Sequence, residues 1–221
     1  MFNTDSVFNR THSNSRGELL GDAAYNLVIG LVLIWGFAVN WWMIQNIPTA
    51  TVMSLGIFLL VGYIVSCLIG ILIYSKSDNP FISFIGYNFI VAPLGLVLNL
   101  IVSQYDSNIV YEAVKMTGGT TIIMLCLGTM YPKFFFSISK ALFLALIAMF
   151  IFSLGQYFIT GKVSEWVDWV LAAIFCGYIG YDWARANSIP KTLDNAVDSA
   201  AALYIDIINL FIKILQILGR R

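Results

Sequence analysis

Two aspartates stand in stretches otherwise fit for a lipid bilayer: Asp182 in "GYIGYDWARA" (177–186) and Asp206 in "LYIDIINLFIKILQIL" (203–218). A charged side chain at bilayer depth costs about 2.5–3.5 kcal/mol on insertion scales. Such residues therefore point to function unless they lie near a helix end and can reach water. Two carboxylates brought together at low dielectric cannot both ionise cheaply, so they titrate as a unit. A pair of this kind responds to protons by construction. No histidine is available within the apolar blocks as a base or metal ligand, because the one histidine, His12, lies in a polar N-terminal stretch.

The second aspartate belongs to a pattern. Asn195, Ser199, Ala202, Asp206, Asn209, Lys213 and Gln216 follow steps of 4, 3, 4, 3, 4 and 3, one polar or small stripe along a helix. Such a helix either lies on the membrane with its stripe in water or stands inside a bundle with its stripe toward a cavity. Surface helices carry several bases on the polar face. Here Lys213 is the one base and the centre is Asp206 and Asn209, which favours the interior. The turn "NSIPKT" returns the chain antiparallel and leaves Asp182 and Asp206 at depths about 9 Å apart at 1.5 Å per residue. Contact between them is thus permitted and not required. Other charges have local explanations: Glu112 with Lys115 as a pair three residues apart, Lys140 reaching the surface, and Glu165 with Asp168 at a helix start, where acids suit the helix dipole.

The elements that must position these groups are membrane helices. The chain has 221 residues, 59% hydrophobic and 11% charged, against about a quarter charged in soluble domains. Its apolar residues lie in long blocks, and an apolar helix of about 20 residues crosses a bilayer. Six blocks meet that test: 23–44, 50–74, 80–103, 109–131, 134–158 and 165–186. A seventh, 193–218, is more polar. The expectation is an all-α membrane protein with a polar tail (1–22) and a single seven-helix domain (23–221), the last helix central. "TGGTT" (117–121) is expected to let neighbouring helices approach closely. Cys67, Cys126 and Cys176 offer neither a disulfide framework nor metal spacing. Twelve Lys and Arg balance twelve Asp and Glu, with no basic run to suggest nucleic acid as a partner. Lysines and arginines of short loops place the N-terminus inside: Arg10, Arg16, Lys76, Lys133, Arg185 and Lys191 fall on that side, and Lys162 on the other. Arg220 and Arg221 then run against the trend.

"GYIGYDWARA" followed by "LYIDIINLFIKILQILG" resembles the C-terminal signature of the transmembrane Bax inhibitor motif family, bacterial type. In that signature a Tyr-Asp pair ends the sixth helix and an aspartate lies in the seventh, positions matched by Asp182 and Asp206. "EAVKMTGGTTIIMLCLGTMYPKFFFSISKALF" is similar to the family's middle helices, so the resemblance covers about residues 80–220. It implies six helices around a central seventh. It also implies a calcium leak path controlled by the two aspartates, which would hold calcium transiently and share a proton in the closed form. Acids, not bases, suit a divalent cation path. The signature differs here in Trp183-Ala184, which follow Tyr-Asp. Some bacterial relatives carry an arginine at the inner end of the second helix; this chain has Lys76 near that place, with Arg185 as a possible substitute.

The expected function is a pH-sensitive calcium-permeable leak channel, with Asp182 and Asp206 as sensor and ion path and with Asn209, Arg185, Lys76 and Lys213 as auxiliary groups. Calcium is the transported ion, no cofactor is tightly bound, and the site is the bacterial inner membrane. The alternative is a non-transporting regulator that binds another membrane protein. Enzyme function is not expected: the Gly-x-Gly-Asp of intramembrane aspartyl proteases is approached, but Asp182 follows Tyr181, and no Pro-Ala-Leu motif occurs later.

Overall fold

The computed structural model describes residues 18–220. Arg10, His12, Arg16, Arg221 and the start of the polar tail lie outside the described residues. Among the described residues eight helices follow in order: α1 Asp22–Asn46, α2 Thr49–Ser54, α3 Ile57–Lys76, α4 Pro80–Val102, α5 Ser107–Met130, α6 Pro132–Thr160, α7 Glu165–Ala186 and α8 Leu193–Gly219. No strand occurs among the described residues.

Six of the helices, α1, α3, α4, α5, α6 and α8, are long and apolar enough to cross a membrane. The protein is therefore integral to the membrane. The seven-span expectation needs a correction of detail. The sequence reading makes 165–186 the plainer span and 193–218 the more polar one, and the order is the reverse. α7 packs Glu165, Asp168, Asp182 and Arg185 into 22 residues, which leaves it less apolar than the six. α8 has 27 residues over which to dilute its polar groups.

Block 50–74 is not one helix either. Gly56, at φ +51°, separates α2 from α3. A side chain is strained in that backbone region, whereas glycine is not. Ser54 Oγ donates to the Thr51 carbonyl at 2.7 Å and helps close the short first piece.

The chain forms two compact units. One comprises the described residues to Gln104 together with Ala186–Tyr204; the other comprises Tyr105–Arg185 and the chain from Ile205. In the first, α4 packs against α1, α2 and α3, around Tyr25, Ile29, Tyr87, Ile90, Val91 and Leu98. Backbone groups of α3 and α4 come very close: a Cβ on Gly70 would lie 2.6 Å from the Gly86 carbonyl oxygen. Pro93 lies inside α4. It has no N–H for the carbonyl four residues back, and Ser66 of α3 donates to that orphan, Phe89 O, at 2.6 Å. Polar pins join this unit's part of α8 to the rest. Tyr25 donates to Asn195 O at 3.2 Å, Ser83 to Asp194 Oδ1 at 2.7 Å, and Asn40 to the Tyr204 hydroxyl.

The second unit contains α5, α6, α7 and the C-terminal part of α8. The close approaches here are not where "TGGTT" predicts them. Nothing lies within 4 Å of a Cβ added at Gly118 or Gly119, whereas one at Gly128 would lie 2.7 Å from the Gly180 carbonyl oxygen. The face of α5 that meets α7 is the one carrying Gly128, and two adjacent glycines nearly three turns earlier do not lie on it. Glu112 and Lys115 form the expected exposed local pair, at 2.6 Å, with Lys115 over the Tyr111 ring.

Candidate functional site

The orientation of Asp182 is set by its neighbours in "GYIGYDW". Gly177 leaves room for Leu142 of α6, and Gly180 for the ring of Phe135. Tyr181 meets Phe136 edge-on, with ring centroids 6.1 Å apart. Trp183 Nε1 donates to Thr129 Oγ1 of α5 at 2.8 Å. Trp183 is one of the residues that sets this chain apart from the family signature, and its role is structural, since it locks α7 to α5 one residue beyond the aspartate. With Tyr181 and Trp183 held by α6 and α5, Asp182 is left facing α8.

The Asp182 and Asp206 carboxyls meet there within hydrogen-bonding reach. A hydrogen bond between two carboxyl groups requires that one of them carry the proton, since an ionised carboxylate only accepts. Asp206 is buried, at 7% exposure, and its Oδ2 has no hydrogen-bond partner; Asp182 is half-buried. Arg185, three residues on from Asp182, is near enough for its charge to act on that carboxyl. Tyr178, a turn before Asp182, lies close to both acids.

The remaining expected residues are placed differently. Asn209 turns its amide back to donate to Ile205 O at 2.8 Å. Lys213 does not reach the pair; its Nζ lies 3.1 Å from Asp168 Oδ1 and 2.8 Å from Gln216 Oε1. Lys76 is the exposed last residue of α3, in the first unit. The stripe on α8 is turned inward: Asn195, Ser199 and Asp206 are 2, 8 and 7% exposed. That burial excludes a helix lying on the surface with its polar face in water.

Asp168 keeps the helix-start place read from the sequence, in the first turn of α7, but it has partners that place does not announce. Its place near the start of α7 suggests a partner for the helix dipole, but it is buried at 1% exposure and held by two bases, Lys213 and Arg220 (Nη2 to Oδ2, 2.8 Å). A signal exists in the chain. Counted from the 187–192 turn, Asp168 and Lys213 stand about level on the two antiparallel helices. Two further buried acids, Asp194 and Asp198, lie on α8 in the first unit. They occur one turn apart near the start of α8.

Relatives share most of this chain. An uncharacterised protein of Helicobacter pylori strain J99 is 30% identical over 152 residues, 67% of this chain and 65% of its own length. An uncharacterised membrane protein of Streptococcus pyogenes serotype M3 is 30% identical over 133 residues, 57% of this chain and 58% of its own. Protein LIFEGUARD 4 of Arabidopsis thaliana is 32% identical over 156 residues, 66% of this chain and 60% of its own. The chain thus spans about three fifths of the length of these curated relatives. The family model described as inhibitor of apoptosis-promoting Bax1 matches residues 21–221. With nearly every described residue inside that match, the chain belongs to the Bax inhibitor-like family of membrane proteins.

Proposed function

We propose that this protein is a pH-sensitive leak channel for calcium, in which Asp182 and Asp206 sense protons and line the cation path. The observation that carries the reading is the contact between two carboxyl groups on facing helices of a membrane protein. Sharing one proton, the pair is attractive and holds α7 against α8. When the proton leaves as pH rises, two carboxylates at low dielectric repel, and the same oxygens become hard ligands for a passing divalent cation. Calcium is cargo here, held transiently. Arg185 is the cation that the released acids would face first. The topology that goes with this reading is seven crossings, α7 among them, with the N-terminus in the cytoplasm of a bacterial cell and the basic short loops on that side.

The experiment is calcium flux in proteoliposomes as a function of pH, for the wild type, Asp182→Asn and Asp206→Asn. Flux that rises with pH in the wild type and loses that dependence in either variant supports the channel. Folded protein with no flux at any pH would instead favour a regulator that acts by binding another membrane protein.

A further inference from the structure

A cavity of about 1000 Å³ opens between α6, α7 and α8 in the second unit. Its polar wall continues the α8 stripe through Asn209, Lys213, Gln216 and Arg220. At 1.5 Å per residue that wall runs about 16 Å, and its deep end, Asn209, is about 4.5 Å along the helix from Asp206. The vestibule therefore stops one turn short of the aspartate pair.

Asp168 stands across this wall, on α7. It is 1% exposed, yet it binds two tethered cations, Lys213 Nζ at 3.1 Å and Arg220 Nη2 at 2.8 Å. One buried acid against two bases leaves the cluster net positive. Lys162 and Glu165 also line the cavity, with opposite signs and exposed to solvent, so they do not change that balance. A free cation entering the vestibule must pass two fixed ones, whereas an anion is drawn in.

We propose that Lys213 and Arg220, positioned by Asp168, form a charge filter that closes this vestibule to free cations. In the leak-channel reading, on which this role in gating rests, the filter is a second barrier, distinct from the aspartate pair, that must part before calcium reaches Asp206. It also explains why the α8 stripe changes from acid to base along one face.

The test is thiol labelling, which needs no flux. Asn209→Cys is made in a chain lacking Cys67, Cys126 and Cys176, reconstituted in nanodiscs, and exposed to sulfonate-bearing and trimethylammonium-bearing methanethiosulfonates of similar size. Their rates are normalised to a free thiol. The sulfonate is expected to react about tenfold faster, the lower end of charge-focusing effects in clefts, and Lys213→Gln with Arg220→Gln to reverse the order. Should that double variant not fold, Arg220→Gln alone, at the half-exposed mouth, must narrow the ratio. A cysteine that neither reagent reaches, or a ratio these substitutions leave unchanged, overturns the filter. A charge-selective result stands even if liposomes show no calcium flux, so the two readings fail separately.

Discussion

Asp206→Asn separates charge from shape at the aspartate pair. Asparagine matches aspartate in volume and still hydrogen-bonds with Asp182, but it cannot supply a second negative charge. Two carboxylates in contact have charge centres roughly 4 Å apart, and at an effective dielectric of about 20 they repel by about 4 kcal/mol. At about 1.4 kcal/mol per decade, that repulsion shifts a closed-to-open equilibrium by at most about three decades. In proteoliposomes loaded with a calcium-sensitive dye, wild-type flux should climb as the shared proton is lost. Asp206→Asn should stay near the acidic wild-type level throughout, and Asp182→Asn should do the same. Because the two acids act as one unit, the double variant should be no more impaired than either single one. A monodisperse Asp206→Asn protein whose flux follows the wild-type curve across pH would refute the argument, since the only group removed is the second charge.

Other substitutions test how α7 and its neighbours are held. Gly180→Ala drives a methyl into the Phe135 ring and should cost about 1–3 kcal/mol, as overpacking does, seen as a lower melting temperature in detergent. Gly118→Ala, with nothing within 4 Å, should hold or raise that temperature by the helix preference of alanine, about 1 kcal/mol. Ser66→Ala orphans the Phe89 carbonyl beside Pro93 and should destabilise by about 1–3 kcal/mol; a thermal shift assay that shows no change would remove that hydroxyl from the account. Glu112→Gln breaks an exposed pair and should leave the melting temperature unchanged in high salt and in low.

Much of the fold is legible in the residues, and the misses have particular causes. The blocks 80–103 and 134–158 lie within a residue or two of α4 and α6, because a chain in lipid has no water to satisfy its backbone and must form helix wherever it is apolar enough. The break at Gly56 is hidden from hydropathy, which does not register φ. "TGGTT" misleads because small residues permit close approach without choosing a partner. Asp168 is the helix-start acid it looks like, but its burial is hidden, because a neighbouring helix supplies it.

That this chain is helical and membrane-embedded, and that α8 carries a 3–4 stripe, can be read from the residues alone, since both follow from local composition and the helical repeat. The sequence also singled out Asp182 and Asp206 as expensive residues in want of a reason. The tertiary structure decided how the helices are turned. Gly180 admits Phe135, Trp183 is tied to Thr129, and only with α7 rotated in that way do the Asp182 and Asp206 carboxyls meet. It decided as well that Lys213 serves Asp168 and not that pair. Helix height can be counted along a chain, but the azimuth of one helix against another is set by side chains distant in sequence.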